Sequence, residues 1–163
     1  FVLGATFKGF FVSKAEISDW PLFRWLARLG KTVFANRSKR HQVKALIGEI
    51  KQRLNSDQCV ILFPEAQATD GTDVVPFKSA IFEPAVLANR PVVPVEIRYH
   101  DDNQPTIAYY GDSFISHIMT LLKAPRLLAT VTVLPEISVG DDRQTLSAKS
   151  YKAIHDKHMS NNG

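Results

Sequence analysis

Cysteine is nearly absent: the 163 residues contain one, Cys59. An internal disulfide is thereby excluded, and with it a disulfide-stapled scaffold. Methionine is scarce, and the five His form no Cys/His cluster, which argues against a structural zinc site. Eight Gly and nine Pro are too few for a low-complexity or collagen-like chain. No stretch approaches the roughly 18 consecutive apolar residues of a membrane span. A signal peptide is also missing from it. The sequence has no Gly-x-Gly-x-x-Gly, no phosphate-loop Lys motif and no Gly-x-Ser-x-Gly elbow. That argues against an α/β nucleotide-binding protein and against a serine nucleophile on a strand-to-helix turn.

What is present is one domain's worth of apolar sequence, spanning 1–163. At 45% hydrophobic and 22% charged it can bury a sizeable core and is not disordered. The chain opens on Phe1 rather than Met, within FVLGATFKGFFVSK, and reads as a fragment whose natural N-terminus lies upstream.

The patterning alternates strands with helices. Phe10–Val12 is a short apolar run of strand type. Ser18 or Asp19 can cap a helix carrying Leu22, Trp25, Leu26 and Leu29, which Gly30 stops. Thr32–Ala35 reads as a second strand. Ser38 caps a longer helix with the stripe Val43, Leu46, Ile47, Ile50 and Leu54. Cys59–Phe63 predicts a strand buried on both faces, with Cys59 an inert core residue. A polar loop from Pro64 to Pro76 follows, turning at Asp70-Gly71. Ser79–Asn89 is a helix in which Pro84 forces a kink or a late start. Val92–Tyr99 is a strand interrupted by Pro94. Thr106–Tyr110, a helix Ser113–Leu122, a strand Leu128–Leu134 and a helix Asp142–His158 complete the chain, with Ser160–Gly163 frayed. The fold class is α/β: a single domain with a mixed, mostly parallel sheet flanked by helices.

Net charge is +4, and it is concentrated. Lys31, Arg37, Lys39, Arg40, Lys44, Lys51 and Arg53 face a single acid, Glu49, so this segment alone carries more positive charge than the whole chain. It reads either as a solvated helix face or as a patch for phosphate or anionic lipid headgroups. Aromatic interleaving is lacking, so nucleic acid is not an expected partner.

The sharpest segment is LFPEAQATDGTDVVPFKSAIF, residues 62–82. A strand runs directly into Pro64 and Glu65, which sets a carboxylate at a strand's C-terminal end, where ligands collect in α/β sheets. Lys78 then leads into a helix whose N-terminus can attract an anion. On composition alone this is equally an ordinary β-to-α loop with a hydrogen-bonded Glu.

Phe63-Pro64-Glu65, followed by Pro76-Phe77-Lys78, resembles the FPEG-type block of the glycerophospholipid acyltransferases, the 1-acyl-glycerol-3-phosphate acyltransferase family. Three more segments fit in order. Phe11–Gly30 is similar to the strand and helix after the family's catalytic motif. Gly30–Arg37 is similar to the block ending in a phosphate-binding Arg. Arg90–Tyr99 is similar to the proline-containing strand, with Pro94 its key proline. The resemblance covers Phe1 to Tyr99 closely and the remainder more weakly.

There are two departures. The family's catalytic motif is His, four residues, then Asp. None of His41, His100, His117, His155 or His158 has an Asp five positions later. In the family that motif precedes a segment like FVLGATFKGFFVSK, so the expectation is that it lies upstream of Phe1 and that no catalytic residue is in this fragment. Second, many members continue the FPE block with Gly-Thr-Arg, where this chain has Ala66, Gln67 and Ala68. Thr69-Asp70-Gly71 and Phe77-Lys78-Ser79 resemble a bacterial branch lacking the Arg, which includes acyltransferases acting on lyso-ornithine lipids.

The resemblance implies transfer of a fatty acyl group from acyl-coenzyme A or acyl-carrier protein to a lysolipid hydroxyl. It implies no further cofactor and no metal. A 1-acyl-glycerol-3-phosphate acceptor is the first expectation, a lyso-ornithine lipid or other lysolipid the alternative. A non-catalytic lipid-binding protein of the same fold is the reading from a different class. The expected place is the membrane surface, on the cytoplasmic face of the bacterial inner membrane. Arg37 would hold an anionic headgroup through its planar fork, although a surface Arg at a strand end reads the same way without the resemblance. Glu65 would hydrogen-bond headgroup hydroxyls, and Lys78 and Lys14 would be secondary anion contacts. Phe63, Pro64, Ala66 and Thr69 would shape the substrate site. Pro94 would wall an acyl slot, or simply mark an edge or bulge. Leu22, Trp20, Phe23 and Trp25 divide between core and a membrane-facing patch.

Overall fold

The computed structural model describes residues 2–14, 33–35, 40–67, 69, 72–100, 117, 119, 121, 123, 128–140 and 142–162. The helix expected over Leu22–Leu29, the Ser38 cap, the turn at Asp70-Gly71 and the segment Thr106–Tyr110 lie outside these residues, as does Arg37.

A short helix α1 (Val2–Thr6) opens the chain, a segment to which the sequence pattern assigned no element. It is followed by β1 (Phe10–Lys14), β2 (Val33–Ala35), α2 (Arg40–Asn55) and β3 (Val60–Ile61). The strand order is β2-β1-β3 and both pairings are parallel, with Val12 opposite Val33 and Phe10 opposite Val60. Gly9 leads into β1 where a Cβ would stand 3.2 Å from the Cys59 carbonyl oxygen and from Ile61. That close approach lets Phe10 N–H reach the same carbonyl at 2.9 Å.

Helix α2 presents its apolar stripe to this sheet. Ile50 and Val12 are buried, and Leu46, Leu54, Val60 and Leu62 pack against them. The helix closes with Asp57 in the left-handed region (φ 56°), and Gln58 N–H returns to the Arg53 carbonyl at 3.0 Å. Of the basic run, Arg53 is engaged: it pairs with Glu49 at 2.7 Å, and its guanidinium lies 4.0 Å from the centre of the Phe10 ring. Lys44 is exposed.

Two expectations about β3 are corrected. The strand spans two residues rather than five, and it is half-buried rather than enclosed on both faces. Cys59 is exposed rather than core. The reason is the short register with β1: the chain reaches the ladder only at Val60 and leaves it at Leu62 to enter the turn that follows.

Pro84 acts as its chemistry requires. Ser79–Phe82 forms a 3₁₀ turn, and the α-helix α3 (Glu83–Ala88) starts late, with the proline in its first turn where no N–H is needed. Asn89 stops it in the left-handed region (φ 48°). Pro94 likewise interrupts a strand: Val92 makes an isolated bridge to Ile137, and β4 (Val95–His100) begins after the proline. It pairs antiparallel with β5 (Leu128–Val133), Ile97 opposite Val131. The strands are therefore of both senses, divided between a parallel and an antiparallel sheet. Residues 117, 119 and 121 are helical, as expected there, and 123 is helical one residue beyond the expected end.

The last helix, α4 (Arg143–Asn162), is capped by Asp142, whose carboxylate accepts from Thr145 N–H at 2.8 Å. It packs on the 3₁₀ turn, burying Phe82 and Leu146, and Arg143 pairs with Glu83 at 3.0 Å. The expectation that Ser160 onward frays is corrected, since the helix runs through Asn162. Its end is tied to β4: Arg98 donates to the Asn161 carbonyl at 2.5 Å, and the Asn161 side chain bonds Glu96. Among the described residues no helix is long and apolar enough to cross a membrane.

Candidate functional site

The loop after β3 is closed at both ends by its own backbone. Ala66 N–H donates to the Phe63 carbonyl at 3.3 Å, turning the chain directly after the strand. Lys78 N–H donates to the Pro64 carbonyl at 2.9 Å, bringing the end of the loop back to its start. The first turn places Ala66 in the left-handed region, at φ 59°. A Cβ there costs about 1–2 kcal/mol, which glycine avoids. Ala66→Gly is therefore expected to raise stability by up to about 1 kcal/mol, or roughly 2–4 °C in melting temperature, part of the gain being offset by the greater freedom of glycine in the unfolded chain. A melting temperature below that of the parent chain would contradict this backbone conformation.

Inside the closed loop stands a cleft of 680 Å³. Its walls are mostly apolar and come from β3, the loop, the 3₁₀ turn, β4 and α4. Phe63, Pro64, Glu65, Thr69 and Pro94 all line it. Five of the residues singled out from sequence thus converge on one cavity. Phe63 is half exposed, its ring open to the cleft and to solvent. Ala66 and Lys78 do not line it. The Lys78 side chain is exposed, and its backbone is extended, preceding a turn rather than a long helix. Lys14 ends β1 in register with Ala35, and its side chain, like the whole of Arg37 and Ala68, lies outside the described residues.

Glu65 is half-buried and lines this cavity. Burial raises its carboxyl above the ordinary value. A hydrogen bond from the Val75 backbone and the nearness of His158 oppose that rise, and the Asp73 carboxylate adds to it. Beneath the loop, Phe77 stacks on Phe82 at 6.3 Å and meets the edge of Tyr151 at 5.5 Å. Tyr151 in turn lies 5.4 Å from His155. Phe77, Phe82, Tyr151 and His155 thus form one packed aromatic cluster at the end of the loop, and the cleft itself is rich in acids. Glu65, Asp73 and Glu96 all line the cleft, with His158 among them and His155 3.8 Å from Asp73.

Sequence reasoning missed Glu96, His158, Asn161 and Asp73. A signal for Glu96 existed: it is the lone acid in the apolar strand PVVPVEIRY. Nothing in the sequence connects His158 to it, because 62 residues separate them and the His was tested only for a following Asp. The chemistry available here is recognition. A half-buried carboxylate lines a mostly apolar cavity, suited to a molecule with a polar, hydrogen-bonding head and a hydrocarbon tail.

Residues 2–98 match a family model described as Acyltransferase. The chain is 27% identical over 159 residues to a 1-acyl-sn-glycerol-3-phosphate acyltransferase of Neisseria gonorrhoeae, covering 94% of this chain and 62% of the relative. It is 32% identical over 165 residues to a lyso-ornithine lipid O-acyltransferase of Rhodobacter capsulatus, covering 94% and 59%. The crystal structure of the 1-acyl-sn-glycerophosphate acyltransferase PlsC from Thermotoga maritima superposes with a TM-score of 0.61 at 18% identity, over 96% of this chain and 58% of that one. That likeness shows a shared fold. The chain thus spans about three fifths of the length of each of these proteins.

Proposed function

The chain belongs to the acyltransferase family, and on that premise we propose that the protein is a lysolipid O-acyltransferase of phospholipid or related lipid synthesis. The observation that carries the reading is the half-buried Glu65 carboxylate in the turn that follows β3, lining a mostly apolar cleft. In the proposed reaction a lysolipid hydroxyl attacks the thioester carbonyl of acyl-coenzyme A or acyl-carrier protein. The new ester bond forms, the carbon–sulfur bond breaks, and the thiol leaves with a proton.

A hydroxyl is a poor nucleophile at neutral pH, and a general base contributes about 100- to 10,000-fold. The reading assigns that base to a His, oriented by an Asp, in residues preceding Phe1. With the substrate hydroxyl as nucleophile no covalent enzyme intermediate is needed. Glu65 accepts hydrogen bonds from the acceptor headgroup, Arg37 contacts its anionic part, and Pro94 walls the acyl chain. The acceptor and the acyl donor both meet the protein at the membrane surface, on the cytoplasmic face of the bacterial inner membrane.

Two acceptors compete. The name of the Neisseria relative supports 1-acyl-glycerol-3-phosphate. The charge balance of the cleft supports a headgroup that carries an amine, as a lyso-ornithine lipid does, because the acids Asp57, Glu65, Asp73 and Glu96 outnumber the cation Arg90 along its lining and would favour an ammonium over a phosphate. The test is thiol release by the full-length protein from palmitoyl-coenzyme A, with each acceptor in parallel. Release dependent on one acceptor identifies the branch. Silence of folded protein with both acceptors and with other lysolipids, using palmitoyl-coenzyme A and palmitoyl-acyl-carrier protein in turn, sinks the enzyme reading in favour of a lipid-binding protein of the same fold. Arg37→Ala is expected to raise KM for the acceptor more than for the acyl donor, measured in the same assay. Equal effects on both would count against a headgroup contact.

A further inference from the structure

Glu96 is only 4% exposed, and a carboxylate so placed in an apolar strand must be partnered. Asn161 Nδ2 donates to both of its oxygens, at 3.2 and 3.1 Å, and His158 Nδ1 stands 3.7 Å from Oε1. His158 and Asn161 are three residues apart on α4, so one helix face delivers both to the same carboxylate. The opposite edge of the imidazole turns to the loop: His158 Nε2 donates to the Thr72 carbonyl oxygen at 3.2 Å. A carbonyl only accepts, so Nε2 carries a proton toward Thr72, and the Glu96 carboxylate, also an acceptor, holds the ring on the Nδ1 side when Nδ1 carries a proton as well.

Thr72 is three residues from Val75, whose N–H bonds the Glu65 carboxylate. Between them Asp73 Oδ1 accepts from Val74 N–H at 2.7 Å, and Val74 is buried. A continuous set of contacts therefore runs from buried Glu96, through His158, into the stretch of loop that holds Glu65.

We propose that Glu96 and His158 are positioning residues for Glu65: the buried carboxylate orients the imidazole, and the imidazole clamps the loop at Thr72 from the C-terminal helix. This rests on the reading of Glu65 as the acceptor-binding carboxylate. The ring acts through placement, since its Nε2 proton is given to Thr72. The arrangement also gives a reason for the helix to continue through Asn162, whose preceding residue completes the hold on Glu96.

The test uses the full-length protein with His158→Ala, His158→Gln and Glu96→Gln, reading backbone hydrogen exchange together with kcat and KM. His158→Ala is expected to speed exchange across 72–78 about tenfold while leaving α2 unchanged, because one clamp on the loop is lost and the fold is not. It should lower kcat about ten- to a hundredfold, with KM for the acyl donor unchanged. His158→Gln, whose side-chain amide can donate to Thr72, should recover most of both. Glu96→Gln, which keeps an acceptor for Asn161 but loses the charge that orients the ring, should fall between. In a Glu65→Gln background His158→Ala should cost no further activity.

Unchanged exchange across the loop would overturn the proposal. So would a rise spread over α2 as well, or equal losses in the Ala and Gln variants. Exchange is read without turnover: a protein with no transferase activity whose loop still loosens in His158→Ala would sink the functional reading and leave the clamp standing.

Discussion

Glu65→Gln is expected to lower acyl transfer by the full-length protein at least tenfold while leaving the chain folded and, above neutral pH, no less stable than the parent. The two halves of this result have different causes. Turnover falls because glutamine cannot present a charged acceptor to the headgroup, and charge-assisted hydrogen bonds are roughly twice as strong as neutral ones. Stability does not fall because the carboxylate is not at ease where it sits.

Burial, the largest influence, raises its pKa above the unfolded value of 4.5. The group therefore favours the fold most when protonated, below that value, and this contribution is lost as pH rises through the higher folded value. At about pH 8, above the unfolded value, the burial of Glu65 opposes folding, and a neutral glutamine that still accepts from Val75 N–H removes that opposition. At about pH 4 the two chains should melt together. Thermal melts at both pH values, beside the thiol-release assay, check each half. Normal turnover with normal stability would sink the role assigned to Glu65, and a lower melting temperature at pH 8 would contradict its environment.

The largest expected effect on stability is that of Phe82→Ala. Phe82 is 2% exposed, stacks on Phe77 and packs against α4, so one ring joins the 3₁₀ turn, the end of the loop and the last helix. Replacing such a ring by a methyl group costs about 3–5 kcal/mol, the lost transfer energy plus a void that rigid neighbours fill poorly. For a chain of this size that is a fall of about 10 °C or more in melting temperature. Because Phe82 also lines the cleft, the new void would open into it, and acceptor KM should rise together with the loss of stability. Phe82→Leu, which keeps most of the volume, should cost less than half as much. A Phe82→Ala chain that melts within 2–3 °C of the parent, roughly 1 kcal/mol, would show that this packing does not hold the site.

Particular residues show what was readable beforehand. Pro84 and Pro94 each remove a backbone donor, so the late helix start and the interrupted strand followed from covalent chemistry, whatever packed around them. The α2 stripe followed from its helical period, and Ile50 is its buried centre. Cys59 misled because apolar composition does not reveal how many residues a strand pairs: CVILF has the content of a buried strand, but the register with β1 uses two of its residues. Ala66 hid its left-handed turn because alanine carries no sign of it, where a glycine would have done. The C-terminal residues looked like a frayed tail because their anchors, Arg98 and Glu96, are more than sixty residues away.

By itself the sequence determined the class of the fold, the apolar stripe of α2, the late start of α3, the interrupted strand before β4 and the family to which the chain belongs. These rest on local chemistry, on periodicity, and on ordered short blocks, all of which are properties of neighbouring residues. Only the tertiary structure decided that Phe63, Glu65, Thr69 and Pro94 share one cleft, that Glu65 is half-buried among other acids, and that His158 meets Glu96. Those facts depend on which distant segments pack together, and desolvation and charge proximity are set by that packing rather than by the residues taken one at a time.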